Sequence, residues 1–131
     1  MKKDIEIPEI DGIHIVAIKE WDKDFTEKQW NVYIVNNRKE VISTVLVLSR
    51  GKSEDRKTST LRHSLGDIEP NMSAKIEFIT TEVLEFTNEY LVTFFIENRL
   101  FEKNFVFAPH TISENKATEV PVMKTEGILA K

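Results

Sequence analysis

The run YLVTFFIENRLFEKNFVF, Tyr90 to Phe107, decides the fold. Tyr90, Val92, Phe94 and Ile96 alternate with Leu91, Thr93 and Phe95 up to Glu97, and a second stretch runs from Leu100 to Phe107. A period of two is that of an extended strand, whose successive side chains point to opposite faces. The two-residue connection Asn98-Arg99 lies close to the type I′ hairpin signal, although it lacks glycine.

The same period recurs upstream. Ile13, Ile15 and Ala17 alternate with His14, Val16 and Ile18 in a strand ending near Glu20. Trp30, Val32, Ile34 and Asn36 line one face of a second, with Tyr33 and Val35 on the other. A third runs from Ile42 to Ser49, stopped by Arg50-Gly51-Lys52-Ser53. Thr58 to Leu65 is a weaker candidate, and Ser73 to Thr80 sets Ala74, Ile76 and Phe78 against Lys75 and Glu77. Asn36-Asn37-Arg38-Lys39 and Ile68-Glu69-Pro70-Asn71 read as turns. Thr81 to Asn88 is the one segment with helical character, with Thr81 as N-cap.

Short strands joined by turns predict an all-β chain: an antiparallel β-sandwich of about seven strands, immunoglobulin- or fibronectin-III-like. An OB-like β-barrel is the alternative. Tyr90, opening the strongest strand, matches the corner tyrosine of such sandwiches. Residues 1–108 are expected to form the single β-sandwich domain. Residues 109–131 form a C-terminal tail that docks on it or acts as a linear motif.

The chain has 131 residues, 40% of them apolar, including eight Phe, which is material for one core. With no cysteine, disulfides and thiolate metal sites are excluded. Asp4, Glu6 and Glu9 interrupt the N-terminal MKKDIEIPEIDG before any signal-like apolar run, and no stretch is long and apolar enough to span a membrane. The expected compartment is therefore the cytoplasm. A net charge of −4 disfavours general attraction to nucleic acid.

Motifs with a chemistry are incomplete. Gly51-Lys52-Ser53 ends like a P-loop, but Leu46 stands where the first glycine belongs. His14, His63 and His110 are scattered without ligand spacing. Glu20, Asp22, Asp24 and Glu27 surround Trp21 and Phe25 without the glycine of an EF-hand loop. His63-Ser64 lacks the glycines of a nucleophile elbow, and strand neighbours face opposite sides. No catalytic, cofactor-binding or metal-ligating residue is assigned, and no cofactor is expected.

Two features exceed what a plain sandwich needs. Val41, Ile42, Val45, Leu46, Val47 and Leu48 place apolar side chains on both faces of one strand, and Leu91 and Phe95 do so opposite Val92, Phe94 and Ile96. Antiparallel sheets ordinarily keep one face polar. The second face calls for cover by the chain's own ends (Ile5, Ile7 and Ile10, or Val120-Pro121-Val122-Met123 and Ile128-Leu129), by a homodimer partner or by another protein. Val41, Leu46, Leu48, Leu91 and Phe95 are the candidate interface. The other feature is basic: Arg50, Lys52, Arg56, Lys57 and Arg62 against Glu54 and Asp55, a candidate phosphate or RNA contact without aromatic residues for base stacking.

Trp30-Asn31-Val32-Tyr33, Arg56 to His63 and Phe101-Glu102-Lys103 carry a resemblance spanning most of the chain. The sequence resembles a group of short, uncharacterised bacterial proteins, some named after the phenylalanyl-tRNA synthetase alpha subunit. The resemblance brings no functional motif and no catalytic residue. The chain lacks the helical segments and motifs of a class II synthetase, so synthetase activity is not expected. The expected function is that of a non-enzymatic protein-interaction module. The alternative is a translation-associated role, linked to RNA or a synthetase, through the basic 50–63 segment.

Overall fold

The hairpin over residues 90–107 forms half of a four-stranded sheet. The computed structural model describes residues 10–131. Among them are β1 (Ile13–Trp21), β2 (Lys28–Asn36), β3 (Ile42–Lys52), β4 (Leu61–Ile68), β5 (Met72–Ile79), β6 (Thr87–Ile96), β7 (Arg99–Phe107), β8 (Thr118–Glu119) and β9 (Glu126–Leu129). One sheet has the order β5-β2-β1-β9-β8 and the other β4-β3-β6-β7. Every paired ladder is antiparallel.

Alternation makes two layers of these strands. Ile13, Ile15, Ala17, Val32 and Ile34 of the first sheet share one buried cluster with Val45, Val47, Val92, Phe94, Phe105 and Phe107 of the second. The sheets therefore face each other across a common core, as in a sandwich. They are hydrogen-bonded as separate ladders and do not close into the alternative barrel. No helix among the described residues is long and apolar enough to cross a membrane.

Several boundaries differ from the sequence reading, each for a local reason. The β6–β7 connection is Glu97-Asn98, one residue earlier than read, because Ile96 pairs with Arg99. Both turn residues have positive φ, 48° and 69°, as a type I′ turn demands. Strand β3 does not stop at Ser49 but continues through Arg50-Gly51-Lys52. A Cβ on Gly51 would lie 3.0 Å from Asn88 Oδ1 and 3.2 Å from the Phe86 ring, so glycine here marks a close approach and not a turn. Strand β4 starts later than expected and runs through Gly66-Asp67, where the register with β3 shifts. Thr44, at φ 52° in the irregular segment, donates its backbone N–H to Asp67 Oδ1 at 3.1 Å. The helical candidate is a single 3-10 turn over Thr81–Glu85; its N-cap is Thr80, with no side-chain capping bond, and Asn88 belongs to β6.

The tail joins both sheets. Strand β9 pairs with β1, and Ala130 donates its N–H to the Ile15 carbonyl. One residue later, Lys131 exchanges two backbone bonds of 2.9 Å with Val106 of β7. Val120 is buried with Val16, Ile18 and Val35 on the outer face of the first sheet, with Val122, Met123 and Tyr33 packed against them. Ile10 is buried in the main core, while Ile5 and Ile7 lie outside the described residues.

Gly127 permits this docking, since a Cβ there would lie 2.6 Å from the Ala17 carbonyl oxygen. Gly127→Ala is expected to destabilise the fold by about 1–3 kcal/mol through overpacking. Urea unfolding measures it, and an unchanged midpoint would show that the tail does not bear on stability.

Candidate functional site

Of the two outer faces, that of the second sheet holds the candidate interface. Leu46 aligns with Ser64, Thr93 and Glu102; Leu48 aligns with Arg62, Leu91 and Asn104. Phe95 aligns with Ser43 and Leu100, and Arg50 with Glu89 and Val106. The intervening rows, such as Val47 with Val92 and Ser49 with Tyr90, point into the core. Leu46, Leu48, Leu91 and Phe95 are half-buried and Leu100 is 52% exposed, so the apolar centre of this face is wetted. A depression of about 380 Å³ lies there, lined by Leu48, Arg50, Thr60, Glu89, Leu91 and Asn104. Val41 is exposed just ahead of β3, at the margin of the face.

The basic segment is partly engaged within the chain. Arg50 and Lys52 both reach Glu89 Oε1, at 2.9 and 3.5 Å, and the Arg50 hydrogen bond chiefly holds the Glu89 pKa below its ordinary range. Arg56 stacks its guanidinium 5.3 Å from the centre of the Phe86 ring. Its backbone N–H and carbonyl also bond with Ser53. Lys57 and Arg62 are exposed, and Arg62 projects from β4 on the outer face.

A polar cluster that sequence did not bring together closes the side of the sandwich between β4 and β5. Tyr90 donates to Glu77 Oε2 at 2.8 Å and Ser49 donates to Glu77 Oε1 at 3.0 Å. His63 Nε2 lies 3.0 Å from the same Oε1 and 3.2 Å from Ser49 Oγ. Burial, with the carboxylate as second cause, pushes the Tyr90 phenol pKa far up. Ser49 and Glu77 meet the same imidazole nitrogen, whereas a nucleophile relay sets carboxylate and serine on opposite nitrogens. Ser49 is only 3% exposed, and among the described residues no buried side-chain polar atom lacks a partner. The arrangement ties four strands together. Period-two alternation puts Ser49 with Val45 and Val47 and Tyr90 with Val92 and Phe94, but it set Glu77 opposite Ala74, Ile76 and Phe78. A register shift between Val32 and Tyr33 in the β2–β5 ladder instead aligns Glu77 with the core residue Val32 and leaves Phe78 exposed.

The corner before β6 is held differently from expectation. Tyr90 spends its hydroxyl on Glu77, while Asn88 Nδ2 donates to the Val83 and Phe86 carbonyls at 2.8 and 3.2 Å. A second polar group lies on the outside of the first sheet, where Glu20 accepts from Asn31 at 2.7 Å and from Tyr33. Burial foremost, then the Glu20 bond, pushes the Tyr33 pKa up to about 12. The acidic turn folds on itself: Asp22 accepts from the Thr26 backbone and hydroxyl, leaving Phe25 74% exposed. No cluster of His, Asp or Glu among the described residues could hold a metal ion.

Comparison with known protein families, with curated proteins and with solved structures gives no match.

Removing the Tyr90 hydroxyl leaves part of a half-buried carboxylate without its donor. Tyr90→Phe is expected to cost about 1–2 kcal/mol in urea unfolding, and an unchanged stability would contradict the tying role. His14 adds a pH dependence. Burial foremost, then Lys103, lowers its pKa, against an opposing pull from Asp11. As pH falls through about 6.5 the unfolded chain takes up this proton first, so the contribution is complete above that pH and lost below it. His14→Gln is expected to flatten this part of the stability–pH curve, and an identical curve would rule the group out.

Proposed function

We propose that this chain is a non-enzymatic protein-interaction module that holds its partner on the outer face of the β4-β3-β6-β7 sheet. One contrast carries the reading. The apolar outer face of the first sheet is covered by the chain's own Val120, Val122 and Met123. On the second sheet, Leu46, Leu48, Leu91, Phe95 and Leu100 have no such cover among the described residues. Covering apolar surface gains roughly 25 cal/mol per Å². An exposed patch of large apolar side chains rimmed by polar groups is characteristic of an interaction surface.

We also read the sandwich as immunoglobulin- or fibronectin-III-like. Immunoglobulin constant domains order their strands A-B-E-D in one sheet and C-F-G in the other. Here β1-β2-β5 and β3-β6-β7 follow those orders, with β4, fourth in the chain, moved to the β3 edge of the opposite sheet. In such modules a rigid sandwich presents a binding face or loops, and chemistry is not required of it.

The test is capture from an extract of the source cell with tagged wild type, Leu91→Glu and Phe95→Glu, each with and without nuclease. Both side chains point away from the core, so the variants are expected to keep the wild-type circular dichroism and melting temperature. A protein retained by wild type after nuclease treatment and lost by both folded variants is the expected result. Folded variants that keep every interaction would contradict the assignment of this face.

A further inference from the structure

The margins of the outer face carry opposite charge. Arg62 projects from β4 at one edge and Glu102 from β7 at the other, both exposed, and neither forms an ion pair among the described residues. Between them run Leu46, Leu48, Leu91 and Phe95. We infer that the occupant of this face is a second copy of the chain, packed sheet against sheet about a two-fold axis parallel to the strands between β3 and β6. This deepens the interaction-module reading and rests on it.

Symmetry and charge together select that arrangement. Such an axis exchanges left and right while keeping height along the strands, so β4 lies over β7 of the second copy and β3 over its β6. Leu48 and Leu91 share one row, so Leu48 then faces Leu91 of the second copy, twice over. Arg62 stands one outward row from Glu102, an offset of about 7 Å that a guanidinium side chain spans. The other in-plane axis, across the strands, would lay β4 on β4 and β7 on β7. It would bring Arg62 towards Arg62 and Glu102 towards Glu102, and like charges so placed are strongly disfavoured. An isologous contact of the first kind is self-complementary.

The size of the face sets the strength. Four strands about 4.8 Å apart, over roughly seven residues at about 3.4 Å each, give about 450 Å² per copy. Both copies together approach the ~1,000 Å² that marks the low end of specific interfaces. A reversible dimer in the micromolar range is expected, not an obligate one.

Sedimentation equilibrium across micromolar to millimolar concentrations tests this with wild type, Arg62→Glu, Glu102→Arg and the double exchange. Wild type is expected to dimerise reversibly. Each single reversal should weaken the dimer by about tenfold, since it sets like charges together, and the double exchange should restore it to near the wild-type value. Arg62 and Glu102 are exposed, so these variants are expected to fold, and circular dichroism verifies it. A wild type that stays monomeric at millimolar concentration, or single reversals without effect, would overturn the dimer. If wild type is monomeric while Leu91→Glu still loses a captured protein, the dimer fails and the interaction face stands. If Leu91→Glu also loses nothing, both fail.

Discussion

The structure turns on a sheet whose central strands are apolar on both faces. In β3, Val45 and Val47 enter the core while Leu46 and Leu48 face outward; in β6, Val92 and Phe94 enter while Leu91 and Phe95 do not. Such a sheet has to be covered twice, since leaving Leu or Phe in water forgoes the largest favourable contribution to folding and association. The opposing sheet supplies the first cover. The first sheet meets the same demand on Val16, Ile18 and Val35 with the chain's own tail. The second sheet's outer cover is what the proposed function supplies from another molecule.

The proposed contact surface needs a stiff support, and the two sides of the sandwich provide one by different means. On one side, backbone does the joining: Ala130 bonds to Ile15 in the first sheet and Lys131 to Val106 in the second. On the other, the Glu77 carboxylate gathers Tyr90, Ser49 and His63 from three strands of the opposite sheet. Asn36, fully buried, adds a third tie by donating to the carbonyls of Glu40, Ile68 and Glu69. Hydrogen bonds are directional, so they fix how the layers sit in a way that apolar packing alone does not.

Alternation at period two made the layers legible in sequence. Which residues of β1, β2, β3 and β6 share a face follows from it, and so does the surplus of apolar residues on β3 and β6. Strand ends were less legible because glycine has more than one use. Gly51 looked like a turn and is a site of close approach, and Gly66 sits inside a strand at φ 71°. The tail was ambiguous because Val120, Val122 and Ile128 are equally suited to docking at home or on another protein. Only Gly127, small enough to lie against the Ala17 carbonyl, signals the home site, and that signal needs the fold to be read. The Glu77 cluster was illegible, since Ser49, His63, Glu77 and Tyr90 meet only through the opposition of two sheets. In the basic segment, the pairing of Arg50 and Lys52 with Glu89 was equally out of reach, because Glu89 is distant in sequence.

Hydroxyl-radical footprinting across a range of protein concentrations tests the central claim most directly. It reads solvent access at individual side chains while leaving the sequence unaltered. Leu48, Leu91 and Phe95 are expected to become protected as concentration rises, while Phe25 and Trp21, at the far β1–β2 turn, stay equally reactive. Reactivity at Leu91 and Phe95 that does not change with concentration would contradict the claim that a second copy covers this face.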